Sequence, residues 1–124
     1  MNPLETILVI DDDPLSLRLL TGVLRGGPWQ VTACSDPLEA LRLMASQRFR
    51  AVVCDVDMPG SDGLDIMRSV RFQDPACAVV LVTGHAEVPE DAAAGKPDLL
   101  LHKPVDKERL RGFLTALPAQ PRGG

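Results

Sequence analysis

No apolar run in this 124-residue chain approaches the ~20 residues needed to cross a membrane, or the roughly 7 to 15 of a secretory leader. Near the N-terminus the longest covers only residues 7–10, which points to a cytoplasmic protein with no membrane partner. Basic residues are in deficit: 13 Lys and Arg against 17 Asp and Glu leave a formal charge of −4. Nucleic acid therefore meets no electrostatic footprint, and direct DNA binding is disfavoured. Cysteine is scarce, and Cys34, Cys54 and Cys77 are widely spaced without CxxC or CxxH pairing. That argues against a disulfide frame or a zinc site and for reduced thiols. Length is short of a second domain, although one domain of this size buries about two-thirds of its unfolded surface. Tyrosine is absent altogether.

The apolar residues that are present fall into short blocks. Residues 6–10 are apolar on both faces and rich in β-branching, as in a central strand of a parallel sheet, and run straight into Asp11, Asp12 and Asp13. Asp13 before Pro14 is a helix start, with the acid as N-cap and the proline at the first helical position. Leu17, Leu20 and Leu24, with Val23 beside them, then recur at helical spacing until Gly26-Gly27-Pro28. A second strand is expected over 29–34. A second helix opens at Asp36-Pro37-Leu38-Glu39 as a capping box, with Leu38, Leu41 and Ala45 as its apolar face. Residues 50–54 form a third strand, Met58-Pro59-Gly60 turns the chain, and a helix seated by Ile66, Met67 and Val70 runs from near Asp62 to near Asp74-Pro75. A fourth strand over 78–82 stops at Thr83-Gly84, and Pro89, Gly95 and Pro97 leave room for only a short fourth helix. Residues 99–101 are a fifth strand ending at Lys103-Pro104, and Asp106 caps a last helix whose Leu110, Phe113, Leu114 and Leu117 share one face. Residues 1–117 thus read as one domain and 118–124 as a flexible Pro/Gly-rich tail. Five strands alternating with five helices imply an α/β fold: a doubly wound parallel sheet with helices on both faces.

The chemistry gathers around Asp55-Val56-Asp57-Met58-Pro59-Gly60-Ser61-Asp62-Gly63. In open α/β sheets ligands bind at the carboxyl ends of strands, and Asp55 is expected at such a tip, facing solvent. Asp11 and Asp12 end the first strand and, unlike Asp13, have no capping role to explain them. Two such charges ~4 Å apart repel by about 4 kcal/mol at an effective dielectric near 20. The carboxylates therefore hold protons or share their space with a cation, and an all-oxygen set suits Mg²⁺. Thr83 and Lys103 are unremarkable singly. In this order, each at a strand end, these residues resemble the receiver domain of two-component response regulators, over essentially the whole chain.

The resemblance implies a (βα)5 flavodoxin-like fold of strand order 2-1-3-4-5, which brings the tips of the first and third strands together. It implies that Asp55 accepts a phosphoryl group from a histidine kinase or a histidine phosphotransfer protein. By the same resemblance, Asp12 and Asp55 ligate Mg²⁺ directly, Asp11 acts through water, and the backbone carbonyl of Asp57 supplies another oxygen. Thr83 bonds the phosphoryl group through its hydroxyl, and a cis peptide between Lys103 and Pro104 turns the amine into the pocket. The protein is then a switch or relay, not an enzyme, that signals to a downstream protein or to a second copy of itself.

Two departures from that pattern carry expectations. Asp57 adds a negative charge beside the acceptor, which should alter metal affinity or phosphoryl lifetime. Receivers commonly carry Tyr or Phe three residues before the Lys, where this chain has Leu100. With the short stretch between Thr83 and Lys103, this points to a modified output face. Two rival readings remain. Asp55-Val56-Asp57 also resembles the nucleophile motif of haloacid-dehalogenase-type phosphatases, but that family places its nucleophile on the first strand. A phosphorylation-independent binding module of the same fold would suit Leu100, whereas the intact Asp11, Asp12, Asp55, Thr83 and Lys103 argue against it.

Overall fold

Strands apolar on both faces must be covered on both, and that requirement organises the molecule. The structure is a computed structural model that describes residues 5–58, 61–84 and 95–118. Its elements are β1 (Glu5–Ile10), α1 (Pro14–Leu24), β2 (Trp29–Cys34), α2 (Pro37–Ser46), β3 (Ala51–Asp55), α3 (Gly63–Gln73), β4 (Ala78–Thr83), β5 (Leu99–His102) and α4 (Lys107–Ala116). The five strands form one parallel sheet in the order β2-β1-β3-β4-β5, as the resemblance implies. The short helix expected between β4 and β5 falls on residues 85–94, outside the described residues, as does the expected tail beyond Pro118.

Side chains alternate along each strand, so one sheet feeds two cores. Ile7, Val9, Val53, Val80 and Val82 pack beneath α1 and α4 with Leu20, Leu24, Leu110 and Leu114. Leu8, Ile10, Val52, Cys54, Val79 and Leu81 pack beneath α2 and α3 with Ala40, Ile66, Met67 and Val70. Cys34, Cys54 and Cys77 are buried thiols, and burial pushes Cys77 up to about 12.

Helix starts follow the sequence closely. Asp13 accepts from the Ser16 N–H at 3.3 Å, Asp36 from Leu38 at 3.0 Å and Asp106 from Arg109 at 3.2 Å, each satisfying a backbone donor that the first turn leaves unpaired. The capping box does not close at α2, where Glu39 instead meets Arg42 at 3.5 Å. The expected apolar face of α2 also differs. Ala40 is fully buried, with Leu43 and Met44 packed beside it, while Leu38 is 65% exposed. Both triplets lie at helical spacing, and the small Ala40 side chain is the one that lets the helix backbone settle onto the sheet.

After β3 the chain makes a two-residue antiparallel pairing of Asp57–Met58 with Ser61–Asp62 before α3 starts, a detail finer than the expected turn. The Gly63 N–H donates to the Val56 carbonyl at 3.2 Å. A Cβ on Gly63 would lie 2.7 Å from the Val56 Cα and 2.9 Å from the Asp55 carbonyl oxygen, distances that only backbone movement can relieve. Gly63→Ala is expected to cost about 1 to 3 kcal/mol in urea unfolding, as overpacking against backbone does. A change below a few tenths of a kcal/mol would show that the loop yields freely.

Candidate functional site

The register of β1 on β3 builds the site. Ile10 pairs with Cys54, so the next residues, Asp11 and Asp55, leave the sheet side by side. Asp55 is in register with Val82, and the Val56 N–H donates to the Val82 carbonyl at 2.9 Å, which carries Thr83 to the same rim. The Lys103 N–H in turn donates to the Thr83 carbonyl at 2.8 Å, and the Lys103–Pro104 peptide is cis. The tips of β1, β3, β4 and β5 thus converge.

Asp55 sits at the strand tip but is only 3% exposed, which corrects the expectation that it faces solvent. Its neighbours cover it. The Lys103 Nζ donates to Asp55 Oδ2 at 3.2 Å and stands 3.8 Å from Asp11 Oδ2. Asp55 Oδ1 accepts from the Asp57 N–H at 2.9 Å, and Asp11 Oδ1 accepts from the Asp13 N–H at 3.0 Å. Ser16 Oγ, 3.5 Å from the lysine amine, joins the rim without having been anticipated. It sits on the first turn of α1, a position that sequence spacing does not connect with Lys103.

Oxygens of Asp11, Asp12 and Asp55 lie within 4.8 Å of one another. Two unit charges at that distance repel by about 3 to 4 kcal/mol at an effective dielectric near 20, and one ammonium cannot neutralise three carboxylates. The strain shows in Asp11, which is fully buried. Burial first, and then the charges of Asp55 and Asp12, push its carboxyl up to about 6 against the bond from Asp13 and the attraction of Lys103. Its Oδ2 is buried with no hydrogen-bond partner among the described residues. Burial alone would lower the Lys103 amine, but its hydrogen bond to Asp55 and the charges of Asp55 and Asp11 outweigh that and raise it. An orphaned buried carboxylate oxygen within an all-oxygen donor set fits a hard divalent cation such as Mg²⁺.

Thr83 and Asp57 are arranged in a way not foreseen from sequence. The fully buried Thr83 directs its hydroxyl to Asp57 Oδ2 at 3.2 Å, and the Gly84 N–H approaches the same oxygen at 3.4 Å. One oxygen of the Asp57 carboxylate is thereby held at the tip of β4. Its added charge was legible in the sequence, but its direction was not.

The family model of the response regulator receiver domain matches residues 7–115. This chain belongs to that family. Among receiver-containing relatives, the transcriptional regulatory protein ZraR of Klebsiella oxytoca is 30% identical over 94% of this chain and 27% of its own length. The probable transcriptional regulatory protein TcrX of Mycobacterium tuberculosis is 36% identical over 73% of this chain and 38% of its own. The chain thus spans roughly a quarter to two-fifths of the length of these relatives. A solved receiver domain protein of Clostridium thermocellum superposes with a TM-score of 0.80 at 30% identity, covering 90% of this chain and 92% of that one. The response regulator TrrA of Thermotoga maritima, solved in complex with Mg²⁺ and BeF, superposes at 0.81 with 25% identity, covering 93% and 100%. No helix among the described residues of this receiver is long and apolar enough to cross a membrane.

The raised Asp11 carboxyl has a measurable consequence in metal-free protein. Below about pH 4 the group is protonated folded and unfolded alike. Between about 4 and 6 only the folded form keeps the proton, so stability falls as pH rises through that interval and stays lower above it. Asp11→Asn retains an acceptor for the Asp13 N–H and removes the charge. It is expected to raise metal-free stability at pH 7 by about 1 to 3 kcal/mol and to flatten the loss between pH 4 and 6. Urea unfolding across that range checks both, and an unchanged pH profile would contradict the assignment.

Proposed function

We propose that this receiver accepts a phosphoryl group from a phosphohistidine onto a carboxylate oxygen of Asp55 and acts as a switch or relay in a cytoplasmic two-component pathway. The observation that carries the reading is the contact of Lys103 Nζ with Asp55 Oδ2 at 3.2 Å, beside the buried Asp11 Oδ2, which accepts no hydrogen bond among the described residues. In the reaction the P–N bond to the imidazole breaks as a P–O bond to Asp55 forms, and the imidazole leaves with the electron pair. Lys103 holds the acceptor carboxylate and offers its positive charge to the phosphoryl oxygens, acting as a point charge. Asp11, Asp12, Asp55 and the Asp57 carbonyl would hold Mg²⁺, which when bound neutralises charge on the transferring group. Water later cleaves the acyl phosphate, releasing phosphate and restoring Asp55. The domain contributes positioning and charge to its own modification. Asp55 on β3, behind an acid pair on β1, is also the reverse of the order a haloacid-dehalogenase-type phosphatase needs. Leu100 packs partly buried against the core beneath α2 and α3, so an aliphatic contact stands where receivers commonly carry a ring, and output is expected through a modified surface.

The donor must reach Asp55 from a partner protein, and the ground beside Lys103 suits an apolar one. A groove of about 530 Å³, lined by Ser16, Leu19, Leu20, Val23, Pro104 and Val105, begins at Lys103. Leu15 and Leu19 stand 62% and 63% exposed at its side. We assign this groove to the kinase or phosphotransfer protein, because it is continuous with the acceptor site.

Incubation with Mg²⁺ and acetyl phosphate should give a single phosphoryl adduct by mass spectrometry, absent in Asp55→Asn and formed about 10²-fold more slowly in Lys103→Met. Equal labelling of Asp55→Asn, or steady turnover of p-nitrophenyl phosphate, would count decisively against the proposal. In phosphotransfer profiling against candidate kinases, Leu19→Arg should slow transfer from the kinase far more than labelling by acetyl phosphate. Equal effects on both donors would remove the groove from the partner interface.

A further inference from the structure

The Asp57 carboxylate already occupies donors that an anion on Asp55 would need. Thr83 Oγ1 donates to Asp57 Oδ2 at 3.2 Å and the Gly84 N–H approaches the same oxygen at 3.4 Å, so consecutive residues at the tip of β4 converge on one carboxylate oxygen. The Asp57 N–H meanwhile donates to Asp55 Oδ1 at 2.9 Å. One residue therefore ties the acceptor carboxylate through its backbone to the β4 tip through its side chain. Its carboxylate is not a member of the cluster formed by Asp11, Asp12 and Asp55, and it meets Thr83 and Gly84 at the β4 tip. A buried hydroxyl needs an acceptor, and an ionised one is bonded roughly twice as strongly as a neutral one.

We propose that Asp57 is a positioning residue that acts through Thr83: its side chain serves as a resident anion, and a phosphoryl group on Asp55 engages the Thr83 hydroxyl and the Gly84 amide only by displacing it. This rests on the phosphoacceptor reading above and supplies the direction of the Asp57 effect. The carboxylate opposes the phosphorylated state by stabilising the unmodified arrangement of the β4 tip. A ligand shifts such an equilibrium only by the difference between its contacts in the two arrangements. Here each donor passes from one anion to another, so the gain on phosphorylation is reduced.

The test is a double-mutant cycle on the full chain, with the Mg²⁺–beryllofluoride adduct as the probe and ¹H–¹⁵N spectra as the readout. Asp57→Ala is expected to tighten apparent beryllofluoride affinity by about three- to tenfold. In the Thr83→Val background, where the hydroxyl is gone and only the Gly84 amide is left to release, the same substitution should tighten affinity clearly less than in the wild type. Thr83→Ala replaces Thr83→Val if the latter does not fold. The ligand-free spectrum adds a signature that general destabilisation would not produce: loss of the carboxylate should move the Gly84 amide proton upfield.

Equal tightening in both backgrounds would mean that Asp57 acts as a bare charge, and would overturn the proposal. So would an unmoved Gly84 resonance, or no tightening at all. Beryllofluoride uptake that is absent from the wild type and every variant alike would instead overturn the phosphoacceptor reading, and this inference with it. Uptake abolished only by Asp55→Asn would keep that reading whatever Asp57 does.

Discussion

The hydrogen bond from the Lys103 ammonium to Asp55, with Asp11 close behind, is the interaction on which the chemistry of this molecule depends. Without it three carboxylates would crowd one rim of the sheet with no cation of the chain's own among them. With it the rim still carries excess negative charge, which adds to the larger effect of burial in raising the Asp11 carboxyl to about 6. That residual charge on an all-oxygen donor set is what fits the rim to a hard divalent ion.

The rest of the fold is the apparatus that makes such an arrangement tolerable. Two apolar cores, one on each face of the sheet, fix the register of β1 against β3. A slip of one residue would invert every side chain on the strand and separate Asp11 from Asp55. The far side of the sheet shows the same logic with opposite charge. Arg50 is nearly buried and donates to the carbonyls of Ala76 and Pro118, so backbone oxygens meet the guanidinium there.

Relatives such as ZraR are far longer than this chain, with the match confined to about 27% of the ZraR sequence. The matched element is therefore one part of those longer proteins, and the individual character of this receiver lies in a few side chains placed on the shared frame. Leu100 packs where a ring is common in receivers, Asp57 reaches across to the β4 tip, and Leu15 and Leu19 stand exposed beside the groove that begins at Lys103.

Period-two apolar blocks, Asp-Pro helix starts and acids at strand ends are local properties, so the strands, the described helices, the caps and the membership of Asp11, Asp12, Asp55, Thr83 and Lys103 in one site were all legible from residue order together with the receiver resemblance. Strand order was not contained in periodicity and came with the family pattern. Rotation of α2 onto Ala40 rather than Leu38 was decided only in three dimensions, because both faces satisfy helical spacing and backbone approach to the sheet selects between them. The depth of Asp55 depends on Lys103, 48 positions away in sequence. The orientation of Asp57 depends on where β4 ends relative to β3. A carboxylate's type and charge are written in the chain, but which donors it meets is set by the packing of strands that are distant in sequence.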